Sequence, residues 1–314
     1  MKRQIIKILI IILLFGCNNL DYKPKYKDFE NAWERENLIG KVKKLEQYKA
    51  NVTDFVTEKT DKPIIEFSKE FSETGNILYQ ENFDNFGKLE QYMKNQYGQN
   101  GYRTESVSEN FVMPTKSIEK VNFDTLTGKQ LSTLVIYNDT LKVEAFFKYD
   151  KYKNLIVQTN IQNGDTTSGR FEYNYDSKGR ILFKKQIDNG EHDINETTNE
   201  FKYDVEGNLF ELISKSKFFG EMKSTYEYNS KNQIKKITEY KSGQIDKETS
   251  FDKFYNKTLV RFYKSNALNK EMKYEYEFDK KGNWILRDTF MKEYFGDKKT
   301  FLIYKETRKI EYYE

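Results

Sequence analysis

Few side chains in this sequence are of a type and spacing that could do chemistry. It has one histidine and one cysteine in 314 residues. His192 sits just after Asn189-Gly190, a turn pair, and reads as a solvated turn residue. No Ser/His/Asp or Cys/His arrangement can be assembled around it. Zinc-ligand spacing and a glycine-rich phosphate loop are both absent from the sequence. The acids that recur in register are Asp150, Asp176, Asp204 and Asp279. A row of carboxylates along one sheet edge could ladder calcium, which takes oxygen ligands. The better reading is that each Asp caps its own turn, because Asp fits the first turn position so well. No pair of acids stands out for glycoside hydrolysis. Trp284 and the tyrosine rows could stack on sugar rings, although an aromatic strand face is more often core. The expectation is a non-enzyme with no cofactor and no metal.

Cys17 has a different chemistry. Lys2, Arg3 and Lys7 form a basic start, and Ile8–Phe15 is an apolar run too short to span a bilayer. Leu14-Phe15-Gly16-Cys17 then resembles a bacterial lipobox, with a small residue ahead of the cysteine. The expectation is a lipoprotein signal over 1–16, cleavage before Cys17, and lipid on Cys17 that holds the chain to a membrane. Residues 17–27 read as a polar tether. A lone cysteine forms no disulfide within one chain, so packing must stabilise the fold.

The elements that carry the acids are repeats. Tyr173-Asn-Tyr175-Asp176-Ser-Lys-Gly179-Arg-Ile181 recurs as Tyr203-Asp204-Val-Glu-Gly207-Asn-Leu209, as Tyr226-Glu-Tyr228-Asn229 and as Phe278-Asp279-Lys-Lys-Gly282-Asn-Trp284. Aromatics two apart share one strand face. The Asp or Asn suits the first position of a type I turn, and a Gly three residues on takes a left-handed conformation that closes a hairpin. The turn residues at 150, 176, 204, 229 and 279 step by 26, 28, 25 and 50 residues, with a degenerate copy at Asp252. A fixed period of this size marks an array of supersecondary units. The predicted fold is all-β, with consecutive antiparallel hairpins in one long curved or spiralling sheet of about 16 strands. The tyrosines are expected to sit with ring inside and hydroxyl at water.

On these motifs the chain resembles the YD-repeat (RHS-like) family over roughly residues 65–290, best at Tyr175–Ile181 and Tyr203–Leu209. The resemblance implies a hairpin at each motif. Asn154 and Asn232 stand where the family pattern expects Gly. The large family members' toxin-enclosing shell is not implied, since the chain is too short. Around the repeats, residues 28–63 read as a short helix with Asp28 as cap, ended by Gly40, then the first strand or strands. Residues 64–314 form the hairpin domain, with an irregular loop at about 95–118 punctuated by Gly98, Gly101 and Pro114.

The formal charge is +4, and removing Lys2, Arg3 and Lys7 leaves +1. A near-neutral, evenly mixed chain gives no electrostatic case for nucleic acid. The functional expectation is a bacterial cell-envelope protein, lipid-anchored at Cys17 and placed at the outer membrane. It would act as a non-enzymatic binding or scaffolding surface for a protein or glycan partner. The alternatives are an immunity or antitoxin-like protein that binds a toxin, and a carbohydrate-binding envelope protein.

Overall fold

The computed structural model describes residues 32–99, 101–124, 127–189, 194–294 and 299–314. Among the described residues, one short helix, α1 (Ala32–Arg35), precedes an otherwise all-β arrangement. Its first strands are β1 (Val42–Asp54), β2 (Lys59–Thr60), β3 (Ile64–Phe71), β4 (Ile77–Phe83), β5 (Leu89–Tyr97), β6 (Arg103–Asn110) and β7 (Thr115–Phe123). Next come β8 (Gln130–Tyr137), β9 (Leu141–Tyr149), β10 (Leu155–Gln162), β11 (Asp165–Tyr175), β12 (Ile181–Asn189), β13 (Ile194–Tyr203) and β14 (Leu209–Ser216). The last are β15 (Gly220–Tyr228), β16 (Ile234–Lys241), β17 (Gln244–Phe251), β18 (Lys257–Lys264), β19 (Ala267–Phe278), β20 (Trp284–Glu293) and β21 (Thr300–Tyr312).

From β3 to β21 each strand pairs antiparallel with the next. β1 then pairs with β3 on one edge and with β21 on the other, so the sheet closes on itself with 20 strands. Leu45 sits opposite Ile310 across one side of this seam and opposite Lys69 across the other. β2 stays outside the ring, paired only with the end of β1. The strand count thus exceeds the expected 16, and the sheet neither spirals nor stays open. Closure removes both free edges, which a long meander would otherwise expose.

The motif turns build one end of the barrel. At Asp176 the N–H of Gly179 donates to the Asp176 carbonyl at 3.0 Å, and the N–H of Asp176 donates to the Arg180 carbonyl at 2.9 Å. The carboxylate accepts the N–H groups of Lys178 and Arg180, both at 2.9 Å. The same pattern recurs at Asp150, Asp204, Asn229, Asp252 and Asp279. The residue three places on has positive φ each time: Lys153, Gly179, Gly207, Asn232, Tyr255 and Gly282. In the first of these turns it is Lys153, not Asn154, that occupies the glycine place, since Asn154 is the fourth residue after Asp150. The opposite end includes three two-residue turns, Asn163-Gly164, Ser242-Gly243 and Ser265-Asn266, with both residues at positive φ, beside longer ones.

The segment expected as an irregular loop at 95–118 is regular. It holds the end of β5, all of β6 and the start of β7. Its strands lack an apolar alternation, and polar cross-strand contacts stand in for it, such as Ser108 with Ser117 at 2.7 Å and Arg103 with Glu119 at 2.5 Å. Backbone pairing to both neighbours suffices to hold a strand whose side chains carry little burial.

The amino-terminal segment decides which face is the inside. The N–H of Ala32 donates to Gly75 in the β3–β4 turn, and the Asn37 amide donates to Phe254 in the β17–β18 turn. Those turns are six strands apart around the wall through the seam, about 29 Å at 4.8 Å per strand. Five residues reach at most about 18 Å, so the segment cuts across the concave side. It rests on Val42, Leu45 and Phe71, with Trp33, Phe67 and Ile310 around them. The face that carries these residues is therefore the inner one. Following the cross-strand register, the inner face also carries Phe201, Leu212, Tyr226, Val260 and Met272. The outer face carries ion pairs on successive strands: Lys185 with Glu196 at 2.9 Å, Lys202 with Glu211 at 2.6 Å, Arg261 with Glu271 at 3.0 Å and Lys305 with Asp288 at 3.0 Å. By the same register the outer face also carries Ile118, Ile136, Phe146, Val157 and Ile187, and the inner face also carries Gln158, Lys184 and Gln186, so the wall is mixed on both faces.

A ring of 20 strands is too wide for side chains to fill, since barrels of about 16 strands already leave an aqueous channel. Of the largest fully buried side chains, Phe71, Leu45, Val42 and Asn283 lie at the end with the motif turns beside the bridging segment, Asn208 lies in the Asp204 turn, and Thr289 lies within β20.

Candidate functional site

Beneath the bridging segment, at the seam, the inner face gathers a polar cluster on an aromatic floor. β20 contributes Trp284 and Arg287, β21 contributes Tyr304, Glu306 and Arg308, and β1 contributes Gln47. The two-residue strand period puts Glu306 and Arg308 on one face, and the register sets Gln47 opposite Arg308 and Arg287 opposite Glu306. Arg287 holds Glu306 with both arms of its guanidinium. Its Nε donates to one carboxylate oxygen at 2.6 Å, and its Nη2 donates to the other. The Gln47 amide donates to Glu66 at 2.9 Å and to Glu306 at 3.4 Å, and its oxygen accepts Arg308 Nε at 3.1 Å. The Arg308 guanidinium lies 3.7 Å from the Trp284 ring centroid and that of Arg287 lies 4.9 Å from it.

Electrostatically the two arginines differ. Burial works against the charge on Arg287, but the Glu306 carboxylate outweighs it and holds the guanidinium above its ordinary range. Burial pushes Arg308 down to about 10, with Glu36 acting in the opposite direction. Arg308 Nη1 is closed off from solvent and has no hydrogen-bond partner. A buried donor without an acceptor is costly. The cluster's resources are charge, hydrogen bonding and a stacking surface.

The sequence-predicted site residues fall elsewhere. Cys17 and His192 lie outside the described residues. Asp150, Asp176, Gly179, Asp204, Gly207, Asn229, Asp279 and Gly282 all stand at the end of the barrel that carries the motif turns. Their carboxylates are engaged in their own turns. Asp150 accepts the N–H groups of Tyr152 and Asn154 and the Tyr175 hydroxyl, and Asp279 accepts those of Lys281 and Asn283 and the Tyr312 hydroxyl. Among the described residues no group of His, Cys, Asp or Glu gathers as metal ligands would. Trp284, which as an aromatic of a strand face reads more readily as core than as a platform for sugars, is 5% exposed under the two guanidiniums, so it offers no face to a glycan. Sequence reasoning did not single out Arg287, Glu306 or Arg308. The only signal was the Glu-x-Arg alternation of the last strand, which resembles the many charged alternations elsewhere.

Four of the motif tyrosine hydroxyls are bonded to backbone instead of being left to water. Those of Tyr173, Tyr203, Tyr228 and Tyr276 donate to the carbonyls of Leu155, Ile181, Leu209 and Lys257 at 2.7 to 2.8 Å, each the first residue of a neighbouring strand. Burial pushes Tyr276 up to about 12. Burial with the nearby carboxylate does the same for Tyr79 beside Glu81, Tyr263 beside Glu248 and Tyr312 beside Asp279, each up to about 12. A tyrosine whose folded pKa lies above its unfolded value stabilises the fold below the unfolded value and loses that contribution as pH rises through the folded one. For these residues the window runs from about pH 10 to pH 12. Arg308, pushed down to about 10, acts in the opposite sense across the same window, one group against several. Alkaline titration is expected to show tyrosinate absorbance and loss of β-sheet dichroism rising together between those limits. Full ionisation near pH 10 with the sheet intact would contradict the tyrosine latches.

No protein-family model matches the chain, and no curated protein matches it. Among solved structures the chain is similar to TcdB2-TccC3, with 12% identity over 73% of this chain and 15% of that one, and a TM-score of 0.36. It is similar to a porin-like protein from Bacteroides uniformis, with 12% identity over 86% of this chain and 96% of that one, at a TM-score of 0.32. It is also similar to the Photorhabdus luminescens Tc holotoxin pore, with 10% identity over 73% of this chain and 17% of that one, at a TM-score of 0.22. The chain therefore spans a small part of the Tc components it matches, and likeness at this level assigns neither family nor function.

Proposed function

We propose that the protein is a lipid-anchored barrel of the bacterial cell envelope, of the YD-repeat (RHS-like) kind, that acts as a non-enzymatic binding or scaffolding surface for a protein partner. One observation carries the reading. The chain enters the barrel at the end closed by its own segment 32–41, downstream of a basic start, a short apolar run and Gly16-Cys17. An anchor placed there holds the closed end and leaves the outer wall and the far mouth available. The wall suits a scaffold: its turns are satisfied internally, its edges are removed, and its outer face is a mixed-charge surface. Membership of the repeat family is supported by the turn geometry shared at Asp150, Asp176, Asp204, Asn229, Asp252 and Asp279.

The test is crosslinking in cells, followed by capture of the mature protein and mass spectrometry, with Cys17→Ser as the mislocalised control. A stoichiometric protein partner, lost with Cys17→Ser together with the lipid on the mature amino terminus, is the expected result. An unlipidated mature chain, or a partner retained by Cys17→Ser, overturns the anchored reading.

A further inference from the structure

On the outer wall, the neighbouring strands β7, β8 and β9 align their outward side chains in three rows. The register sets Ile118, Ile136 and Lys142 in the first row, Lys120, Leu134 and Glu144 in the second, and Asn122, Ser132 and Phe146 in the third. Elsewhere on this face, neighbouring strands close ion pairs within the chain, as Lys202 does with Glu211 at 2.6 Å and Arg261 with Glu271 at 3.0 Å. In the second row Lys120 reaches Glu105 only at 4.0 Å and stays 59% exposed, and among the described residues Glu144 closes no ion pair. In the third row the short side chains of Asn122 and Ser132 leave a hollow of about 240 Å³. Leu134 bounds it on one side and Phe146, 45% exposed, on another.

We propose that this patch is a self-association surface, and that its partner is the same patch on a second copy of the chain. A twofold axis that lies in the contact plane along β8 makes it self-complementary. Such an axis lays β9 of the second copy over β7, and β7 over β9, with each row facing itself. Phe146 of the second copy then lands on Asn122, in the hollow beside Ser132, and Glu144 of the second copy faces Lys120. Both contacts occur twice. Leu134 and Ile136 meet their own counterparts on the axis, and the stem of Lys142 covers Ile118 with its ammonium at the edge. An axis across the strands would instead set Lys120 against Lys120 and Glu144 against Glu144. Knob and hollow, acid and base all come from one surface, which fits an isologous contact better than a site for an unrelated protein. The wall is convex, so contact is confined to these strands and their immediate neighbours. At about 4.8 Å per strand and about 6.8 Å per row the patch measures roughly 15–20 Å by 20 Å. Two copies would bury about 600–800 Å² together, a size that suits a weak, reversible dimer. The proposal goes beyond the anchored-barrel reading and does not depend on Cys17.

The experiment is sedimentation equilibrium on the chain from Asn18, which contains every strand and cap described above. The expected result is a monomer–dimer equilibrium with a Kd of roughly 10–100 µM. Lys120→Glu and Glu144→Lys are each expected to weaken it about tenfold or more, because both cross-copy pairs become like charges. An equimolar mixture of these two variants is expected to recover dimers, since both pairs are then of opposite sign again. The double variant Lys120→Glu, Glu144→Lys is expected to dimerise on its own for the same reason. Phe146→Ser is expected to be monomeric, with β-sheet dichroism unchanged. A parent that stays monomeric up to about 1 mM, a dimer indifferent to the single charge variants or to Phe146→Ser, or a mixture that stays monomeric overturns the proposal.

Discussion

Replacing Glu306 by leucine is expected to lower stability by about 3–5 kcal/mol. Glu306 is 4% exposed and is the two-point partner of Arg287. Its removal leaves the partly buried Arg287 guanidinium without its carboxylate, with Arg308 stacked on the same indole. Arg287→Met alone is expected to cost a similar amount, because it strands the carboxylate instead. The double variant is expected to cost much less than the sum, with a coupling near the top of the usual range, about 2–3 kcal/mol. Chemical denaturation of the four proteins measures the cycle, and additive effects would show that the pair does not act as a unit. The cycle also bears on the candidate site. A carboxylate ligand that fills the place of Glu306 would raise the melting temperature of Glu306→Leu more than that of the parent.

Phe71→Ala is the second large effect, again about 3–5 kcal/mol. Phe71 is 1% exposed and packs with Ala32, Leu38, Val42 and Leu45. That cluster joins the bridging segment to the strands on one side of the seam. Truncation removes burial and leaves a cavity that a closed wall cannot collapse to fill. Limited proteolysis is expected to cut within 32–41 first in the variant, before the strands. Phe86→Ala, at an 89% exposed turn tip, is expected to change stability by less than about 0.5 kcal/mol. Equal melting of the two variants would mean that the segment contributes nothing to closure.

The contrast between these two phenylalanines is the contrast between what could and could not be read without the structure. Local chemistry was legible. Asp176 and Gly179 announce their turn because the carboxylate, the backbone N–H groups and the left-handed residue all lie within five positions of one another. The alternation Phe171-Glu-Tyr173-Asn-Tyr175 likewise announces a two-faced strand. The error at 95–118 has the same origin. Arg103–Asn110 carries no apolar alternation, and its strand state comes from pairing with β5 and β7, which no local window contains.

The sequence by itself determined the hairpins, their common turn, their approximate period and the all-β class, since each depends on interactions a few residues long. Only the tertiary structure decided that the meander closes. Closure pairs Val42–Asn51 with Tyr304–Tyr312, some 260 residues away, and depends on the accumulated twist of every strand between them. Closure in turn decided which face is inside and put Trp284 beneath Arg308 instead of at the surface. It brought Gln47, Arg287 and Glu306 together from both ends of the chain. Those are consequences of ring geometry, which is a property of the whole sheet and of no single repeat.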